Sequence, residues 1–179
     1  DRREMVNKLS NGEIGYAQSL RSRVALLAGL EESGLEHVLE ERLRLSPGAE
    51  RLIARCRELG LRTLLVSGGF SFFTDWLRTQ LGIDEALSNQ LEIADGCLTG
   101  RVIGEIVDGE AKAARLLRTM RAIGASREQT IAVGDGANDL PMMAQAGVSV
   151  AYCAKPIVRE HATHAIEHAG LDGVLNLFL

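Results

Sequence analysis

Cysteine is scarce in this chain of 179 residues: Cys56, Cys97 and Cys153 are an odd, scattered set without a Cys-x-x-Cys pair. That excludes a disulfide scaffold and reads as reduced thiols of the cytosol. Positive charge is not in excess either. The net charge of −4 leaves no electrostatic footprint for nucleic acid or an anionic membrane surface. No apolar run approaches the roughly 18 residues of a membrane span, and no signal-peptide pattern is present. A soluble cytoplasmic protein is therefore expected. Lysine is rare too, since Lys8, Lys112 and Lys155 stand against 17 arginines, so each one merits scrutiny. Internal repeats and low-complexity linkers are missing as well. What remains is ordinary globular material, 46% apolar and 25% charged, long enough for one domain with a small insert.

The most informative stretch is Thr130-Ile-Ala-Val-Gly-Asp-Gly-Ala-Asn-Asp139. The branched run from Thr130 to Val133 suits a buried parallel strand. Gly134 and Gly136 allow a sharp turn, and Leu140-Pro-Met-Met143 continues as a helix. Asp135 and Asp139 thus lie at the carboxyl end of a strand, where open α/β sheets bind ligands. Two nearby carboxylates repel unless a cation stands with them, and an oxygen-only set of this kind suits Mg²⁺. A tight turn with Asn138 or Asp139 as a helix cap is the plainer alternative.

Residues 1–44 read as helices only. Ala17, Leu20, Val24 and Leu27 fall at helical spacing. Ser46-Pro47 is expected to cap and open a helix running to Leu59. Strands and helices then alternate: a strand over 62–67, a helix over 71–81 and strands over 89–93 and 97–102 joined at Asp95-Gly96. A helix over 111–123, the Thr130 strand, the Leu140 helix and a strand over 148–151 follow. This alternation predicts a parallel sheet. The expected division is a partial helical cap over 1–44 and an α/β core over 45–179.

Three further features carry chemistry. Leu64-Leu-Val-Ser-Gly-Gly-Phe70 ends a strand in a hydroxyl and two glycines. Exposed N–H groups with one hydroxyl can hold a phosphate oxygen, or Ser67 can be a local cap. Lys112 falls at the start of a helix, where the dipole disfavours it, so an anion or simple surface exposure must account for it. Arg23 lies about 20° from Tyr16 on a helical wheel, placed to snorkel or to grip a carboxylate. Two decoys are set aside. Gly134-Asp-Gly lacks the third glycine of a dinucleotide fingerprint, and His161, His164 and His168 lack a fourth zinc ligand.

Taken together, Ser67-Gly-Gly-Phe70, Lys112, Gly134-Asp-Gly-Ala-Asn-Asp139 and Ala154-Lys-Pro156 resemble the motifs of the haloacid dehalogenase superfamily. Its phosphoserine phosphatase branch is the most similar, through Gln18-Ser-Leu-Arg-Ser-Arg-Val24, Leu98-Thr-Gly100 and Ala151-Tyr-Cys-Ala-Lys-Pro156. The resemblance implies a three-layer α/β/α Rossmann-like core with a small helical cap. It implies Mg²⁺-dependent hydrolysis of L-phosphoserine, the last step of serine biosynthesis, through an aspartyl-phosphate. By position, Ser67 and the Gly68 N–H would hold phosphoryl oxygens, and Lys112 would neutralise charge there. Asp135 would ligate Mg²⁺, while Asn138 and Asp139 would position substrate and the metal-bound water. Arg23 would grip the substrate carboxylate, with Tyr16 closing the pocket. The implied partner is a small phosphomonoester; a homodimer is compatible and the oligomeric state stays open.

The chain departs from that pattern in its nucleophile. No Asp-x-Asp occurs in these residues. The resemblance places that motif on a strand between those ending at Ser67 and Asp135, so a portion of a longer polypeptide is expected, with an opened sheet. Ser10 also stands where relatives carry methionine. Two other functions stay open: a related small-metabolite phosphatase or phosphotransferase, and a catalytically dead phosphate-binding fragment.

Overall fold

The structure is a computed structural model and describes residues 15–178. Helices α1 (Tyr16–Ala25), α2 (Ser33–Arg42) and α3 (Ala49–Glu58) come first. Strand β1 (Leu64–Phe70), helix α4 (Ser71–Leu81) and strands β2 (Glu85–Ala94) and β3 (Cys97–Ile103) follow. Helix α5 (Gly109–Ile123), β4 (Ile131–Gly134), the short α6 (Leu140–Met143), β5 (Val148–Tyr152), α7 (Pro156–His161) and β6 (His164–Ile166) complete the regular elements. A 3₁₀ stretch, Leu171–Phe178, ends the described chain.

Branched residues make β4 and β5 double-faced. Ala132 and Ala151 pack with Leu116, Met120, Met142 and Val158. Their neighbours Ile131, Val133 and Val150 turn the other way, onto Leu52 of α3 and Val174 of the terminal 3₁₀ stretch. Side chains alternate across a strand, so helical layers on both faces are the outcome. The three-layer α/β/α core expected from the sequence is what forms.

The described strands make two three-stranded sheets, ordered β1-β2-β3 and β4-β5-β6. β1 pairs parallel with β2, and β4 parallel with β5. Among the described residues no strand joins β1 to β4, so each presents an unpaired edge.

The helical stripe predicted near the start supplies the buried apolar residues of α1, Leu20 and Val24, while its last member, Leu27, lies just beyond the helix. Leu20 and Val24, with Ala17 and Leu27 beside them, pack on Leu91, Leu98 and Val102 of the β2–β3 hairpin. Burying side chains of this size contributes about 1.5–3 kcal/mol each. Asp95 and Gly96 both have positive φ, 49° and 73°, which matches the twist a two-residue hairpin requires.

β1 runs over Leu64–Phe70 rather than 62–67, and two further boundaries differ from expectation for reasons the structure shows. Ser46-Pro47 does not cap α3. Gly48 occupies the cap in the left-handed region at φ 80°, and the Pro47 carbonyl accepts the Leu171 N–H at 2.6 Å. A tertiary bond to the terminal segment thus overrides local helix-start chemistry. β2 begins at Glu85, four residues earlier than its apolar pattern indicates. The Glu85 carboxylate is held by Arg62, Arg115 and Thr119, which supplies polar anchoring that periodicity does not register.

Candidate active site

The site forms where β1, β4 and the start of α5 come together. α5 begins because Asp108 caps it, its carboxylate accepting the Ala111 N–H at 2.9 Å. One turn later Lys112 points inward and is 5% exposed. Its Nζ donates to Asp139 Oδ1 at 2.7 Å. The second oxygen of Asp139 accepts the N–H groups of Asp135, at 3.2 Å, and Gly136, at 3.1 Å. The double acid is therefore not two equal ligands. Asp139 is buried and fully engaged, whereas the Asp135 side chain is exposed and has no hydrogen-bond partner among the described residues.

Close packing explains the glycines of this turn. A Cβ on Gly134 would stand 2.5 Å from Asp139 Cβ and 2.9 Å from the Met143 sulfur. Gly109 lets the α5 start approach Asn138 O, which a Cβ would meet at 3.0 Å. Asn138 itself is half-buried, with its Oδ1 beside Gly136. The loop after β5 also joins the site, since Lys155 N donates to Asp135 O at 3.2 Å.

On the other side, the β1 ladder is broken between Val66 and Phe70. That irregularity carries Ser67, Gly68 and Gly69 out of strand pairing. Ser67 Oγ accepts the Gly69 N–H at 3.0 Å. It does not cap α4, whose cap position is Phe70 and carries no side-chain bond.

Tyr16, at the first turn of α1, reaches this turn. A Cβ on Gly68 would collide with the Tyr16 hydroxyl. Burial pushes that hydroxyl's pKa above its ordinary value; Arg23 opposes the push, while Asp108 and Asp139 add to it. Arg23 is exposed, and its Nε donates to Ser19 O at 3.3 Å. Gly68→Ala is expected to displace Tyr16 and to destabilise the protein by about 1–3 kcal/mol through overpacking. Thermal denaturation checks this, and an unchanged midpoint would contradict the contact.

Ser67, Gly68, Tyr16, Lys112, Asn138, Asp135 and Asp139 thus come from two turns, after β1 and β4, and from the starts of α1 and α5. Ser10 lies outside the described residues. Sequence reasoning missed Asn89 and Asp108. The Asp108-Gly-Glu sequence before a helix signals a cap, but a single Asn inside Leu87-Ser-Asn-Gln-Leu91 gives no periodic cue.

Metal fit depends on the acids. No group of three or more His, Cys, Asp or Glu side chains among the described residues is arranged to hold a metal. Mg²⁺ needs only one or two carboxylates, with waters and substrate phosphate completing its shell. The free Asp135 carboxylate meets that smaller requirement.

The chain has relatives along almost its whole length. Residues 5–144 match the family model of haloacid dehalogenase-like hydrolases. A phosphoserine phosphatase of Polaromonas sp. is 56% identical over 171 residues, covering 93% of this chain and 72% of the relative. The unliganded crystal structure of a probable phosphoserine phosphatase from Vibrio cholerae matches with a TM-score of 0.91 at 44% identity. That match covers 97% of this chain and 54% of the other, so the chain spans about half the Vibrio protein. A phospho-aspartyl intermediate analogue of phosphoserine phosphatase matches with a TM-score of 0.89 at 37% identity, over 98% of this chain and 84% of that one. The chain belongs to the haloacid dehalogenase-like hydrolase family.

Proposed function

We propose that this chain is the substrate- and phosphate-binding part of a phosphoserine phosphatase that hydrolyses L-phosphoserine to serine and phosphate in the cytoplasm. The observation that carries the reading is the buried Lys112–Asp139 pair together with the Ser67-Gly68 turn, which Asn89 ties to the segment leading into α5. A buried ammonium and a hydroxyl hydrogen without an acceptor among the described residues together suit a phosphoryl group. Relatives with high identity along almost all of this chain carry that activity in their names.

The roles divide by position. Ser67 and the Gly68 N–H hold phosphoryl oxygens, and Lys112 offsets their charge as the ester bond breaks. Asp135 would hold Mg²⁺, with Asn138 and Asp139 orienting the turn around it. When bound, the metal supplies Lewis-acid polarisation of a phosphoryl oxygen. Asp139 holds the Lys112 Nζ in place, and its acceptance of two backbone N–H groups fixes the Asp135 turn. Residues 15–44, the described part of the partial cap expected over 1–44, cover the 45–179 core, Tyr16 closing the pocket and Arg23 facing the substrate carboxylate. The nucleophilic aspartate comes from a strand that fills the space between the β1 and β4 edges.

Arg23 tests the substrate. Arg23→Ala is expected to raise KM for L-phosphoserine by the equivalent of about 1.5–3 kcal/mol of charged hydrogen bonding, with little change for a phosphate ester lacking a carboxylate. Steady-state kinetics on both esters decide it, and an unchanged KM for phosphoserine would remove Arg23 from the site.

A further inference from the structure

Asn89 is 1% exposed, and its amide spans two walls of the site. Nδ2 donates to Gly68 O at 2.9 Å and to Gly69 O at 3.3 Å. Oδ1 accepts the Val107 N–H at 2.8 Å. The orientation of the amide is fixed by chemistry, because carbonyls only accept and a backbone N–H only donates.

The position explains the need. In the β1–β2 register Val66 faces Leu87 and Phe70 faces Asn89, so three residues of β1 lie opposite Ser88 alone. The carbonyls of Gly68 and Gly69 therefore lose ladder partners, and a buried orphan carbonyl is costly. The Asn89 amide replaces the missing strand donors.

A further consequence passes through one peptide plane. All peptides among the described residues are trans, so a carbonyl and the following N–H point in opposite directions. Drawing Gly68 O toward Asn89 turns the Gly69 N–H away from it, onto Ser67 Oγ. The Ser67 oxygen is thereby occupied as an acceptor. Its hydroxyl hydrogen has no acceptor among the described residues and is free to donate to a ligand oxygen. At the other end, Val107 leads directly into the Asp108 cap of the helix that bears Lys112.

We propose that Asn89 is a positioning residue, which orients the Ser67 hydroxyl for phosphoryl binding and ties that turn to the segment leading to Lys112. The inference rests on the phosphatase reading for its ligand. Asn89→Asp keeps the acceptor for Val107 but removes both donors and sets a carboxylate against two carbonyl oxygens.

The test is competitive inhibition by inorganic phosphate, and KM and kcat with L-phosphoserine, in the protein as the cell makes it, as wild type, Asn89→Asp, Ser67→Ala and the double variant. Asn89→Asp is expected to raise the phosphate inhibition constant and KM about tenfold to a hundredfold, the loss of a charge-assisted hydrogen bond. In the Ser67→Ala background the same change is expected to have a much smaller effect, because coupled residues are non-additive. Full additivity, or unchanged phosphate inhibition in Asn89→Asp, would overturn the relay. Amide exchange of Gly69 in the wild-type protein gives a reading that needs no variant: protection is expected, and free exchange would overturn the proposal. A wild-type protein without phosphate inhibition or turnover would instead refute the phosphatase reading, while Gly69 protection would still report on the relay.

Discussion

Lys112→Met is expected to lose about 3–5 kcal/mol of stability and at least a hundredfold in turnover. The stability loss follows from burial. Lys112 and Asp139 side chains are 6% and 10% exposed and 2.7 Å apart. Removing one partner leaves the other as an uncompensated buried charge, whereas the intact pair only roughly offsets its own desolvation. Methionine fills the space but supplies no charge. The turnover loss follows from the missing cation beside the phosphoryl group, where low dielectric magnifies each charge. Lys112→Arg is expected to rescue neither quantity fully, because a planar fork does not replace a compact ammonium in a closed site. Denaturant unfolding and steady-state rates measure the two effects, and a stable, active Lys112→Met would contradict the site.

Asp135→Asn gives the opposite pattern. Its carboxylate is exposed and free of side-chain partners among the described residues, so stability is expected to stay within about 0.5 kcal/mol of wild type. Turnover is expected to fall about a hundredfold or more as the metal loses its charged ligand. Raising Mg²⁺ should recover part of the activity. Retained full turnover would show that Asp135 does not hold the metal. The two variants thus separate a group that holds the fold from one that serves chemistry alone.

Much of this was legible in the sequence because the relevant signals are local. The strand-Gly-Asp-Gly frame from Thr130 put two acids at the end of a strand, and Leu20 and Val24 of the expected stripe are the buried apolar residues of α1. Lys112 drew attention because a cation opposes the dipole at a helix start, and a buried partner is what holds it. The different fates of Asp135 and Asp139 were not legible, because burial and a partner 27 residues away decide them. Asn89 was hidden for a similar reason. Its role arises from a broken register in a neighbouring strand, and no pattern within β2 records it. Ser46-Pro47 misled because the Pro47 carbonyl serves Leu171, more than 120 residues along the chain.

The most direct measurement is phosphate release from L-phosphoserine by the protein as the cell makes it, with Mg²⁺ and after its removal by a chelator. Release that requires Mg²⁺ and exceeds release from a phosphate ester lacking the carboxylate is the predicted result. No release, or release indifferent to both metal and carboxylate, would contradict the account.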